Sequence, residues 1–257
     1  MKKLIIANWK MNPSTIKEAN KLFDSLLAVK NNDSKIEVVV APPFVYLNNL
    51  ITKKLKNLKL ASQDVFWEEK GAYTGEISPK MLKDLGVDYA IIGHSERRKY
   101  AVETDEMINK KVIAALKGGL KAILCVGEPL EVRKKGKKDA MDFVKNQLQK
   151  DLKNVFSLPI NQLTNKLIVA YEPIWSISSS GTGFVCSPDD ALEMVKYIKK
   201  LLTTNYQLLT PRVLYGGSVE SKNIQGFLKH NEIDGALVGG ASINAKEFKK
   251  IVELINK

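Results

Sequence analysis

Short, apolar, β-branched runs recur along the chain, and each is followed by a longer stretch in which apolar residues return every three or four positions. The runs are Leu4–Ala7, Ile36–Ala41, Leu58–Ala61, Val87–Ile92, Leu120–Val126, Lys166–Tyr171, Arg212–Tyr215 and Ile233–Val238. Runs this short, bounded by turn residues, predict buried strands. Between them, Thr15–Val29 lines up Ile16, Ala19, Leu22, Phe23, Leu26 and Leu27, and Asp189–Leu202 lines up Leu192, Val195, Ile198, Leu201 and Leu202. Both spacings predict amphipathic helices. Ser14 and Ser187-Pro188-Asp189-Asp190 supply helix-start signals, and Gly86, Gly118 and Gly119 fall where helices should stop.

Eight strands alternating with helices predict parallel βαβ units. In a chain of 257 residues they predict a single α/β domain over 1–257, a closed (β/α)8 barrel. A doubly wound open sheet is the rival, but it would place a glycine-rich turn after its first strand, where this chain has Asn8-Trp9-Lys10. No Pro- or Gly-rich linker divides the sequence.

Composition adds exclusions. Apolar residues are 44% and charged residues 26% of the chain, which rules out disorder and collagen-like repeats. The apolar runs fall far short of the roughly 18 residues a membrane span needs. The apolar opening after Met1 stops at Asn8, too early for a signal peptide. Cys125 and Cys186 lie far apart without metal-ligand spacing and fit a reducing compartment, so a cytoplasmic protein is expected. Forty basic residues against 28 acidic give a net charge of +12. Only Arg97, Arg98, Arg133 and Arg212 are arginines, whereas nucleic-acid readers favour arginine for bidentate contacts. The cluster Arg133-Lys134-Lys135-Gly136-Lys137-Lys138 reads as a solvated loop and helix start, and no nucleic-acid partner is expected.

Active sites of such barrels lie at the C-terminal ends of the strands, so the residues after each run act as a filter. Run one leads to Asn8 and Lys10, run four to Gly93-His94-Ser95-Glu96-Arg97-Arg98, and run six to Glu172-Pro173-Ile174-Trp175. Runs seven and eight lead to Gly216-Gly217-Ser218 and Gly239-Gly240-Ala241-Ser242. Glycines at the ends of strands seven and eight let backbone amides approach an anion beside a helix N-terminus, so they predict a phosphate site together with Ser218. A helix start behind His94 favours a neutral imidazole, suited to hydrogen-bonding a carbonyl. Glu172, stiffened by Pro173 and shielded by Trp175, is placed as a proton acceptor. With Lys10 as a fixed cation, these groups fit proton abstraction α to a carbonyl on a small phosphorylated substrate. A Schiff-base aldolase would need a buried lysine at a late strand end, and a metal-dependent epimerase would need paired His and carboxylate ligands; neither is present in the sequence.

The segments Asn8-Trp9-Lys10-Met11-Asn12, Gly71-Ala72-Tyr73-Thr74-Gly75-Glu76, Gly93–Arg98, Ala170–Trp175, Tyr215–Val219 and Leu237–Ser242 resemble, in order and over essentially the whole chain, the signatures of the triosephosphate isomerase family. The resemblance implies interconversion of dihydroxyacetone phosphate and D-glyceraldehyde 3-phosphate through an enediolate, a step of glycolysis and gluconeogenesis, without a cofactor or metal. It implies Glu172 as the proton shuttle, His94 as the carbonyl-polarising relay, and Lys10 with Asn8 as the charge stabiliser. Glu96 would organise Lys10. Ser218, Gly239 and Gly240 would hold the phosphate, joined by a lid amide assigned to Gly181. It also implies a homodimer through the Gly71–Glu76 loop, with Thr74 at the tip. Cys125 matches a family cysteine beside Glu172's strand and is read as a packing residue.

The lid departs from the family pattern. In place of Trp-Ala-Ile-Gly-Thr-Gly-Lys-Thr-Ala, this chain has Trp175-Ser176-Ile177-Ser178-Ser179-Ser180-Gly181-Thr182-Gly183-Phe184-Val185-Cys186. Three serines are added and the hinge is replaced. The added length costs only about 0.2 kcal/mol of closure entropy. A lid that closes but is more mobile is expected; the alternative reading is a phosphosugar-binding protein weakened in catalysis. Asp64 stands where many relatives have asparagine, and no role is assigned to it.

Overall fold

A computed structural model describes residues 2–27, 35–53, 58–159, 163, 165–177, 181–208 and 210–256. Eight parallel strands form a closed barrel in sequence order: β1 (Lys3–Asn8), β2 (Ile36–Ala41), β3 (Leu58–Ser62), β4 (Tyr89–Ile92), β5 (Lys121–Val126), β6 (Leu167–Tyr171), β7 (Arg212–Tyr215) and β8 (Gly235–Val238). Each predicted run overlaps a strand, with Val87–Ile92 and Ile233–Val238 each beginning two residues ahead of theirs, and the open-sheet rival falls. Closure occurs where Leu4 pairs with Gly235. A Cβ at Gly235 would stand 1.9 Å from the Leu4 carbonyl oxygen, and its φ is +155°, so only glycine lets the first and last strands meet.

Alternation along the strands sorts the core into two. Residues of one parity, including Leu4, Ile6, Val39, Ala61, Ile91, Ile123, Ile168, Leu214 and Leu237, fill the barrel interior. The other parity packs outward with the helices. Each fully buried Leu or Ile contributes about 1.5–3 kcal/mol. The inward parity runs to Asn8 at the end of β1 and, just past the ends of six other strands, to Gln63, Gly93, Gly127, Glu172, Gly216 and Gly239. The layer above the core is therefore hollowed by glycines, with Asn8, Gln63 and Glu172 at its wall.

The predicted helices appear as α1 (Ile16–Leu27), α2 (Phe44–Ile51), α3 (Pro79–Asp84), α4 (Ser95–Tyr100), α5 (Asp105–Lys117), α6 (Leu130–Arg133), α7 (Lys137–Asp151), α8 (Pro188–Thr204), α9 (Ile224–Leu228) and α10 (Ala245–Asn256). The expected run to Val29 leaves the described residues after 27. At the start of α1, Thr15 replaces Ser14 as the capping residue. Its Oγ1 accepts the Glu18 amide at 3.2 Å, and Glu18 accepts the Thr15 amide at 3.2 Å, a reciprocal capping box. Ser187 caps α8 as expected, accepting the Asp190 amide at 3.1 Å. Among the described residues no helix is long and apolar enough to cross a membrane.

The basic stretch at 133–138 divides. Gly136 and Lys137 open α7 and the lysines are exposed, but Arg133 is not a solvated residue. Its guanidinium lies 5.1 Å from the centre of the Trp175 ring and 2.6 Å from Asp190, so it joins the residues on either side of the lid.

Candidate active site

The loops after β1, β4, β6, β7 and β8 converge on one cavity of about 530 Å³, whose walls include Asn8, Lys10, His94, Glu172, Ser218, Gly239 and Gly240. Glu172 directly follows β6, and its backbone is pinned to both neighbouring strands. Its amide donates to the Val126 carbonyl at 2.7 Å, and the Gly216 amide donates to the Tyr171 carbonyl at 2.7 Å. The side chain is 2% exposed. Its Oε2 accepts the Ser95 amide at 3.3 Å. Oε1, with no hydrogen bond among the described residues, stands 3.3 Å from His94 Nε2. Gly216 makes room for it, since a Cβ there would come within 2.8 Å of Glu172 Cγ. Trp175 points away from this carboxylate and donates to Glu128 at 2.9 Å.

His94 is the N-cap of α4, and its Nδ1 accepts the Glu96 amide at 3.2 Å. A ring that accepts at Nδ1 carries its proton on Nε2, the nitrogen facing the cavity. The loop holding it is clamped by Arg98. That guanidinium donates to the Gly93 carbonyl at 2.8 Å, to Asp105 at 2.7 Å and to Asp151 at 2.5 Å, tying the loop to α5 and α7.

Lys10 sits in a left-handed conformation at φ +53°, which costs a non-glycine residue about 1–3 kcal/mol. Two contacts hold it there. Its amide donates to Asn8 Oδ1 at 3.0 Å, and its carbonyl accepts from Gln63 Nε2 at 2.8 Å. Gln63 also reaches the Ala41 carbonyl at 2.8 Å, so one amide braces the ends of β1 and β2. The Lys10 ammonium meets Glu96 at 2.6 Å. Gln63 and Arg98 thus support the site although neither stood out as a site residue in the sequence. The signal for Gln63 was its place one inward step past β3.

The phosphate-site candidates line the same cavity. Gly239 leads into a short helical turn, Gly240–Ile243, and the first amides of such a turn have no acceptor within it. The Ser218 hydroxyl and amide both donate to the Ser176 carbonyl, at 2.7 Å and 3.1 Å. Gly181 is exposed and does not line the cavity, whereas Ile177 does. Ser178–Ser180 lie outside the described residues.

Cys125 and Cys186 are both buried and free. Burial pushes the Cys125 thiol well up, helped by the nearby Glu172 carboxylate, so it is a packing residue and not a thiolate nucleophile. Asp64 acquires partners that the sequence could not show. It meets Lys111 at 2.7 Å and Arg97 at 2.8 Å, while Glu103 meets Lys111 at 2.5 Å and Arg97 at 2.6 Å. Burial pushes the Asp64 carboxyl up and Lys111 pulls it back down. Two carboxylates and two cations balance there, binding the loop after β3 to α4 and α5. Among the described residues no cluster of three or more His, Cys, Asp or Glu could hold a metal.

A carboxylate, an imidazole N–H, an ammonium and the glycine-rich turns after β7 and β8 thus line one cavity. Comparison with known proteins agrees with that chemistry. The family model described as triosephosphate isomerase matches residues 3–255. A triosephosphate isomerase of Caldanaerobacter subterraneus subsp. tengcongensis is 50% identical over 97% of this chain and 98% of the relative. The triosephosphate isomerase of Thermoanaerobacter pseudethanolicus is 48% identical over the same shares, and that of Finegoldia magna is 44% identical over 98% of each chain.

Proposed function

The chain belongs to the triosephosphate isomerase family, and from that premise we propose how its own residues carry the interconversion of dihydroxyacetone phosphate and D-glyceraldehyde 3-phosphate, the reaction it catalyses. The observation that supports the assignment is the 3.3 Å approach of Glu172 Oε1 to His94 Nε2 over a cavity that Lys10 and Ser218 also line. Both groups face that cavity side by side, so a substrate seated in it meets the carboxylate at one carbon and the imidazole at the adjacent oxygen. Glu172 takes a proton from C1 of the ketone while His94 Nε2–H donates to the developing alkoxide at C2. The resulting enediolate is held by the Lys10 ammonium, with Asn8 and Glu96 fixing where that ammonium lies. Glu172 then returns the proton to C2 while His94 Nε2 takes the proton of the C1 hydroxyl, which restores the imidazole and leaves the aldehyde at C1. Ser218 and the amides of Gly239 and Gly240 bind the phosphate, and a lid amide at Gly181 joins them on closure.

Replacing His94 with glutamine keeps an N–H donor but removes the ring that relays protons between the two oxygens. The expected result is a fall in kcat of about 100-fold or more with KM within a few-fold, the usual scale for a positioned acid or base. Initial rates with D-glyceraldehyde 3-phosphate, coupled to glycerol-phosphate dehydrogenase, measure it; a kcat within tenfold of the parent would remove His94 from the proton relay.

We also place this enzyme in the cytoplasm as a homodimer, with residues 1–257 working as one barrel domain. Around one side of the barrel, the segments after β1, β3 and β4 expose Met11 (93%), Tyr73 (45%) and Val102 (72%), and the first turn of α2 exposes Val45 (77%), an apolar set that asks for cover. Thr74 lies at the tip of the loop after β3, whose Tyr73 ring packs 4.8 Å from Phe66, and a partner would receive that tip beside Asn8 and His94. Thr74→Arg places a charge in that contact. Sedimentation velocity should then show monomer at micromolar concentrations, with specific activity falling as the protein is diluted; a dimer of unchanged affinity would contradict the loop assignment.

A further inference from the structure

Ser176 lies at the N-terminal end of the lid, 2% exposed, and is bonded from two directions. Its carbonyl accepts both donors of Ser218. Its hydroxyl oxygen accepts the amide of Cys186 at 2.8 Å, ten residues further on and at the opposite end of the lid. Cys186 is 1% exposed and directly precedes Ser187, the cap of the seventeen-residue helix α8, so it is anchored to the body of the barrel. The family pattern has alanine at the position of Ser176, which makes the hydroxyl a feature of this chain's own altered lid.

We propose that Ser176 is a positioning residue for the lid: through its hydroxyl it holds the lid's first end to Cys186, and so keeps its carbonyl on the Ser218 donors that the substrate phosphate needs. The inference rests on the phosphate role of Ser218 given above. A Ser218 hydrogen that turns to a phosphate oxygen turns away from the Ser176 carbonyl, so phosphate binding weakens the Ser218–Ser176 contact. Cys186, fixed by the cap of α8, does not follow, and the Ser176–Cys186 bond is given up as the lid end moves. A bond made in only one of two arrangements subtracts from the affinity of whatever binds the other. A single neutral hydrogen bond sets the scale at about two- to tenfold. The Thr182 hydroxyl, which bonds the Trp175 carbonyl, ties the same two ends and is untouched by a change at Ser176.

The test is the affinity for 2-phosphoglycolate, which carries a phosphate beside a carboxylate in the shape of the enediolate, measured by titration calorimetry. Ser176→Ala should bind it about two- to tenfold more tightly than the parent and lower KM by the same factor without raising kcat. Ser176→Thr, which keeps the acceptor oxygen, should bind as the parent does. Ser176→Cys, near the parent in volume but a poor acceptor, repeats the alanine result and carries the test if alanine fails to fold. Unchanged or weaker binding in the folded alanine and cysteine variants would overturn the proposal. A parent protein that neither turns over triose phosphate nor binds phosphoglycolate would instead overturn the reading of the site, a failure visible before any variant is made.

Discussion

Glu172→Gln should lower kcat by about 1,000-fold while leaving KM and the melting temperature close to those of the parent. The amide has the carboxylate's shape, so the buried pocket formed by Gly216 and the His94 loop still fills. What it loses is the ability to take a proton from carbon, a contribution worth about 100- to 10,000-fold for a positioned base. The companion variant Glu172→Asp keeps the chemistry and shortens the reach by one methylene. Displacement of a reacting group by about 1 Å costs on the order of 100-fold, so aspartate should fall between the parent and glutamine. The coupled assay separates the three, and calorimetric melts confirm that each is folded. A glutamine variant retaining a tenth of the parent kcat would dismiss Glu172 as the base.

The largest loss of stability is expected at Gly127, which touches neither substrate nor solvent. A Cβ there would lie 1.8 Å from the Glu172 carbonyl oxygen and 2.5 Å from its carbonyl carbon, both backbone atoms that cannot swing aside. The Gly127 amide is also committed, donating to Gln147 Oε1 at 2.9 Å, so the segment is held from behind by α7. Gly127→Ala can be accommodated only by prising β5 from β6 at their upper ends, where the Glu172 amide bonds Val126 at 2.7 Å. A loss of about 4 kcal/mol or more is expected, at the exceptional end for a single substitution. The variant should melt far below the parent or fail to accumulate in soluble form, and any folded fraction should have a depressed kcat because Glu172 rides on the displaced strand. A melting temperature within a few degrees of the parent would show that the two strands part more easily than this packing allows.

What the sequence made readable follows from range. Strand runs, their alternation with helices and the residues just past each run are local properties, so all eight strands and the positions of Lys10, His94 and Glu172 could be read from the chain in order. Parity along a strand extends this further, since it carries Asn8, Gln63 and Glu172 to the same inward layer. Contacts between distant segments could not be read in this way. Arg98 stood in the segment after β4 with no sign of its partners Asp105 and Asp151, and Arg133 read as part of a solvated cluster although it meets Trp175 and Asp190. Gly127 gave no sign of its importance because the obstacle it avoids is 45 positions away. The cap of α1 was legible but misread by one residue: Glu18 stands three positions after Thr15, the spacing of a reciprocal capping box, and that selects Thr15 over Ser14. Ser176 was visible as a departure in the lid, but its partner Cys186 emerges only once the lid's two ends are brought together.

The central claim is that a carboxylate at Glu172 moves a proton between two carbons through an enediolate. Isomerisation of dihydroxyacetone phosphate in D2O by the parent protein tests it most directly, with proton NMR of the D-glyceraldehyde 3-phosphate formed. A proton carried on a carboxyl group can exchange with solvent before it is returned, so the product should carry deuterium at C2 in a substantial fraction of turnovers, and Glu172→Gln should slow the appearance of both product and label by about 1,000-fold. Product whose C2 hydrogen comes entirely from the substrate, formed as fast by Glu172→Gln as by the parent, would mean hydride transfer without a base and would contradict the account.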